Sequence, residues 1–159
     1  MRALERGLTL IEILVTLVVT SLGLLGIAAL QARGLQSNHD AYLYSQASAL
    51  AYDMAERIRT NPVAATAGSY NTSMTNTPSA ANCVTAECGS TAQMAAYDKY
   101  EWKENQVKKL LPDASASINY SAPTITIVIR WRGRAQGNCA SDGSAGTEFT
   151  CFTLTVQPA

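Results

Sequence analysis

With a single histidine, His39, set among Asn38, Asp40 and Gln46 on the polar side of a helical pattern, the chain has little from which to build acid–base chemistry. It also lacks a glycine-rich phosphate loop after a strand, a nucleophile elbow and a pair of carboxylates in an obvious cleft, so no enzymatic activity is expected. Net charge is missing too. Twelve basic residues balance twelve acidic ones, and removing residues 1–7, which hold Arg2, Arg6 and Glu5, leaves ten basic against eleven acidic. That balance argues against nucleic acid as a partner. Metal-knuckle spacing is likewise absent: four residues separate Cys83 from Cys88 and eleven separate Cys139 from Cys151, neither of them a C-x-x-C pair, so no metal or other cofactor is expected. A chain of 159 residues, 47% hydrophobic and 15% charged, fits one domain with a modest core and excludes a large multidomain enzyme.

What the sequence does have is concentrated at its start. Arg2 and Arg6 precede a run, residues 13–30, that is apolar except for Thr16, Thr20 and Ser21, whose hydroxyls can bond back to helical carbonyls. About 20 such residues at ~1.5 Å each cover the ~30 Å hydrocarbon core of a bilayer, and the positive flank puts Met1 on the cytoplasmic side. A cleaved secretory signal fits poorly, because only Ile27-Ala28-Ala29 comes near a small-residue cleavage site and the helical pattern runs on through it. A plain anchor explains the length but not Glu12. A carboxylate near the centre of a spanning helix costs about 2.5–3.5 kcal/mol on insertion scales and usually has a partner or a function.

Helical periodicity continues to Arg59, with Leu43, Ala47, Leu50, Met54 and Ile58 on one face, and Asn61-Pro62 ends it because proline disfavours a helical residue before it. An unbroken helix from Leu8 would be ~78 Å long, more than a domain of this size can bury, so its first half is expected to project. Residues 61–90, rich in Thr, Ser, Asn and Ala, predict a long surface loop that Cys83 and Cys88 can pin. Ser90 and Gln93 form a candidate capping box for a second helix reaching about Leu111 before Pro112, with Met94, Tyr97, Tyr100, Val107 and Leu111 near one side and Glu101, Lys103, Glu104, Lys108 and Lys109 on the wet side.

Three extended segments follow, ASINYS, TITIVIRW and FTCFTLTV. They predict an antiparallel sheet with Ile125, Ile127, Ile129, Trp131, Phe152, Leu154 and Val156 turned to one face. The sheet is expected to rest on the apolar stripe of the long helix, giving an α+β fold. Arg130, Arg132 and Arg134 are expected at a solvated strand end rather than in a polyanion site. Four cysteines in two close pairs after an export-like segment predict an oxidising compartment and two disulfides, Cys83 with Cys88 and Cys139 with Cys151, although three connectivities remain open on sequence alone.

The stretch ERGLTLIEILVTLVV resembles the class III signal of type IV prepilins and of the pseudopilins of type II secretion. Glycine, cut-site residue, threonine, leucine and glutamate fall in place directly after a short basic leader. The resemblance implies the type IV pilin fold with a disulfide-closed C-terminal region, cleavage by prepilin peptidase between Gly7 and Leu8, N-methylation of Leu8, and an assembly role for Glu12, which would meet the N-terminal amine of a neighbouring subunit. The organisation implied is a cytoplasmic leader over residues 1–7, a transmembrane and assembly helix over 8–35, and a periplasmic domain over 36–159.

Two departures point within the family. Leu8 stands where major pilins usually have phenylalanine, and Gly23 and Gly26 occupy the region where they commonly carry a proline. GLTLIEILVTLVVTSLGLLGIAALQARGLQ, continuing into SQASALAYDMAERIRTNP, looks most like the PilV group of minor pilins. That implies a subunit of a tip or priming complex, first in the inner membrane and then in the pilus at the cell surface, supporting twitching motility and adhesion. The implied partners are other minor pilins, the major pilin, prepilin peptidase and a tip adhesin. A type II secretion pseudopilin shares Gly7, Leu8 and Glu12, and a membrane-anchored binding module is a third reading.

Overall fold

The computed structural model describes residues 9–79, 83, 87–133 and 149–157. The chain divides into two compact units, residues 1–39 and 40–159. Helix α1, Leu10–Arg59, supplies the described part of the first unit and opens the second. In the first unit it stands alone, with every residue from Leu10 to His39 exposed.

The second unit holds the core. Here α1 turns a face of Leu43, Ala47, Leu50, Met54 and Ile58 into a single apolar cluster that also contains Ile118, Ile125, Ile127, Ile129 and Trp131 from a three-stranded sheet. The strands are β1, Ser115–Ser121, β2, Thr124–Arg132, and β3, Phe149–Val156, in the order β1-β2-β3 and antiparallel throughout. Ala122 and Pro123, joined by a cis peptide, make the turn between β1 and β2. The register sets Ile118 opposite Ile127 and Ile127 opposite Leu154, so branched side chains line one face, as alternation along each strand requires. Tyr44 of α1 meets Trp131 and Phe152 edge-on, with ring centroids 6.3 and 5.4 Å apart. Residues 134–148, between β2 and β3, lie outside the described residues.

Two expectations need correction. The segment 61–79 is more than a surface loop. Pro62 opens a short helix, α2, Pro62–Thr66, at a position where a missing N–H does no harm. Gly68 takes a left-handed turn with φ 71°. Tyr70 is then fully buried, and Thr72 exchanges two backbone bonds of 2.9 Å with Ile118. The Asn71 side chain accepts from the Tyr120 amide at 2.8 Å, so this segment covers part of the open edge of β1.

Lys103, expected on the wet side of the second helix, is buried. Helix α3, Thr91–Tyr100, starts as expected at Ser90, whose hydroxyl accepts from the Gln93 amide, while Gln93 Oε1 reaches back to the Gly89 amide at 2.7 Å. It passes into a π-helical segment, Glu101–Val107, and a last turn, α4, Lys108–Leu110. The wider i→i+5 turn shifts the phase that a 3.6-residue period predicts. Trp102 keeps the α-helical phase of Ala95 and Asp98, and the wider turn brings Lys103 and Val107 inward as well, whereas Met94, expected on the apolar side, is exposed. The Trp102 indole donates to the Leu50 carbonyl at 2.8 Å and ties this segment to α1. Lys103 spends its three protons on the carbonyls of Ser73, at 2.6 Å, Met74, at 3.2 Å, and Asn76, at 2.5 Å, which is how a buried ammonium is tolerated.

Candidate assembly site

Of the residues singled out for assembly, Gly7 and Leu8 lie outside the described residues. Glu12 sits in the first turn of α1, where the Thr9 carbonyl accepts from the amides of Glu12 and Ile13 at 3.1 and 3.3 Å. A carboxylate there faces the positive end of the helix dipole, which favours its charge. Among the described residues no side chain bonds to it.

Beyond Glu12 the helix is built for an apolar medium. Its most apolar stretch has a mean hydropathy of 2.5 and buries none of its residues within the protein. Thr16, Thr20 and Ser21 donate to the carbonyls of Ile13, Thr16 and Leu17 at 2.8, 2.6 and 2.7 Å, so the hydroxyls in this stretch need no water. No heavy atom lies within 4 Å of the open sides of Gly23 and Gly26, which leaves room for close approach by another helix.

In the second unit the conspicuous polar groups serve the fold. Asp98 accepts from the Tyr70 hydroxyl at 2.9 Å and from Arg57 at 3.3 Å, and Arg57 also pairs with Asp53 at 3.0 Å. Asn61 donates to Tyr70 at 3.2 Å and to the Thr91 carbonyl at 2.8 Å, joining the end of α1 to the start of α3. Burial, reinforced by the nearby Asp98 charge, raises the Tyr70 pKa, because a phenolate there would be both desolvated and beside an anion. Burial, and secondarily the charge of Lys108, pushes Lys103 down to about 8. A groove of about 380 Å³ opens beside this network, between Arg57, Asn61, Cys88, Ser90, Met94 and Asp98, but its ionic groups are already bonded to one another.

The disulfide Cys83–Cys88 is present, with Cα atoms 5.0 Å apart, just ahead of the Ser90 cap. Cys151 is also disulfide-bonded, and its expected partner Cys139 lies outside the described residues. Among the described residues no three His, Cys, Asp or Glu side chains converge as a metal site would need, and His39 is exposed. Arg130 bonds to Ser115 at 3.2 Å and lies over the Phe149 ring at 4.7 Å, while Arg132 pairs with Asp113 at 2.8 Å. Both are strand-end residues occupied by neighbours, and Arg134 lies outside the described residues.

Two family models match the chain, and they adjoin. A prokaryotic N-terminal methylation motif covers residues 2–28, and a type IV pilin model described as Tt1218-like covers residues 29–100. The chain belongs to the type IV pilin family. Neither the curated proteins nor the solved structures gave a match. As a pilin, the protein is structural and non-enzymatic. Its class III signal implies processing by a prepilin peptidase and partners in pilus assembly, with the apolar helix held first in a membrane and then in the fibre.

Trp102 and Lys103, which do much to fix the second unit, were the residues that sequence reasoning missed or misplaced. The signal that locates Trp102 is the phase of the second helix. Ala95, Asp98 and Trp102 recur at steps of three and four, and all three are buried.

Proposed function

We propose that this pilin is a minor subunit that helps to initiate type IV pilus assembly and enters the fibre as part of a tip or priming complex, in the manner of the PilV group, so supporting twitching motility and adhesion. The observation that carries the minor-subunit reading is the make-up of α1, which runs for 50 residues without a proline. With Leu8 as the first mature residue, this departs from the usual major subunit in two features, the phenylalanine and the helix proline that major pilins commonly carry. Flexibility in the apolar stretch then depends on Gly23 and Gly26, each about 1 kcal/mol less helix-favouring than alanine.

In this reading residues 1–7 are a leader facing the cytoplasm, 8–35 the membrane and assembly helix, and 36–159 the periplasmic head. Cleavage after Gly7 creates an amine at Leu8, which is then methylated. In the growing fibre Glu12 takes the amine of an adjacent subunit as its counter-charge, and a low-dielectric helix bundle makes that pair far stronger than it would be in water. Other minor pilins, the major pilin and a tip adhesin are the partners.

Mass spectrometry of sheared surface fibres tests the proposal. A peptide beginning with methylated Leu8, in much smaller amount than the major subunit, is the expected result. Mature protein confined to the cell envelope, with secretion of folded proteins lost on deletion and fibres intact, would move it to the pseudopilins.

A further inference from the structure

Residues 10–39 of α1 contain two formally charged side chains, Glu12 and Arg33. Between them lie residues 13–32, a stretch without a formal charge whose side chains are all exposed. Twenty residues at about 1.5 Å each span ~30 Å, the thickness of a bilayer's hydrocarbon core. Arg33 has no acidic residue within a helical turn on either side, its neighbours being Ala29, Leu30, Gly34, Leu35, Gln36 and Ser37. A guanidinium at that depth needs a counter-charge, and the bilayer offers one at the matching height.

We propose that Arg33 binds the phosphates of the lipid leaflet on the head side and so fixes the depth of the helix before assembly. The hydrocarbon then holds Ile13–Ala32 rather than the whole of residues 8–35. Arginine suits this role because its fork of N–H donors takes phosphate oxygens in pairs, and its long stem can stay along apolar surface while the head reaches outward. The same register puts Glu12 at the opposite boundary, where a carboxylate costs much less than at the midplane. Glu12 can therefore wait in the membrane without a partner and still be placed to find one at the base of the fibre. The inference rests on the membrane stage of the pilin's life and not on its place in a tip complex.

The test uses full-length protein in vesicles of phosphatidylethanolamine and phosphatidylglycerol, carrying one added cysteine, Val19→Cys, Leu30→Cys, Gly34→Cys or Ser37→Cys. A membrane-impermeant maleimide is applied to the head side without reductant, so that the native disulfides stay closed. Labelling at Leu30→Cys and Val19→Cys is expected to be roughly tenfold slower than at Ser37→Cys, marking a boundary at Arg33. Arg33→Leu is expected to move that boundary outward and slow Gly34→Cys several-fold, with Arg33→Lys having a smaller effect. Vesicles of a phosphate-free galactolipid are expected to give the unsubstituted helix the same outward boundary as Arg33→Leu.

An unchanged labelling pattern in Arg33→Leu, or the same pattern with and without phosphate, would overturn the inference. Equal labelling at Val19→Cys and Ser37→Cys would remove the membrane reading itself. A chain that shows the Arg33 boundary yet never enters a fibre would support the inference while removing the proposed tip role.

Discussion

Within α1, the early stretch leaves Leu10 at 79% and Leu35 at 72% of their full exposure, whereas the later stretch buries Ala47, Ala51, Met54, Ala55 and Ile58 completely. Both stretches are apolar and both are helical. They differ in how the apolar residues are distributed around the axis. From Ile13 to Leu30 nearly every position is apolar, so no single face is marked for a core, and the helix needs an apolar surrounding on all sides. From Leu43 to Ile58 the apolar residues keep to a stripe with Asp53, Glu56 and Arg57 off it, and a sheet from the same chain satisfies that stripe. One helix thus serves two solvents. Its first part is completed by lipid or by other subunits and its second by its own fold.

The comparison breaks most completely at the leader. Gly7→Glu is expected to leave the leader attached and to abolish entry into fibres, seen as an intact mass heavier by the seven leader residues and as absence from the sheared fraction. A mature mass equal to that of the native protein would end the pilin-processing argument. Glu12→Lys is expected to keep processing and an unaltered melting temperature of the head while incorporation falls to background, since on the proposed pairing a cation there would repel the neighbouring amine. A fully incorporated Glu12→Lys subunit would show that the amine is not its partner.

Substitutions in the later stretch and its packing partners should act in the opposite way, on stability first. Trp102→Ala removes a fully buried ring and the bond to the Leu50 carbonyl, and is expected to destabilise the head by about 3–5 kcal/mol in urea unfolding. Tyr70→Phe removes the hydrogen bond to Asp98, for about 1 kcal/mol at neutral pH.

The same variant carries a pH signature. The folded pKa of Tyr70 lies above the ordinary value, so the folded state retains its proton where the unfolded state has lost it. The contribution is complete below pH ~10 and is lost as pH rises beyond that, hence native protein should lose stability more steeply than Tyr70→Phe on the alkaline side. Equal alkaline slopes would show that Tyr70 is not the titrating group. The smallest expected effect is Glu104→Gln. It breaks a surface pair with Lys108 of 2.6 Å and is expected to shift stability by no more than about 0.5 kcal/mol.

Much of this architecture was legible in advance because local chemistry and final environment agree. TITIVIRW alternates so strictly that a single register buries Ile125, Ile127, Ile129 and Trp131 together, and the observed strand is Thr124–Arg132. FTCFTLTV became β3 without a residue's difference, and Asn61-Pro62 ended α1 where the steric rule for proline requires. The proposed assembly residues rest on a different kind of information. Gly7, Leu8 and Glu12 belong to a signal read as a linear stretch, so position along the chain carries the information. The segment 61–79 was opaque because Thr, Ser and Asn have no periodicity to betray a contact. Its order comes from Lys103, about thirty residues further on, and from the edge of β1.

Local chemistry along the chain is enough for the apolar span with its single acid, the end of α1, the three strands and their faces, and a cysteine pair close enough to join. Each of these depends on neighbours within a few residues, where sterics and alternation act directly. Packing between distant segments sets the rest: Lys103 lies inside, Trp102 ties the second helix to α1, and the segment before the disulfide covers a sheet edge. The inward turn of Lys103 depends on a π-helical change of phase and on carbonyls supplied from a distant segment, and the other two on contacts between segments far apart in the chain. A lysine in a linear sequence does not disclose whether its three protons will meet water or three backbone oxygens.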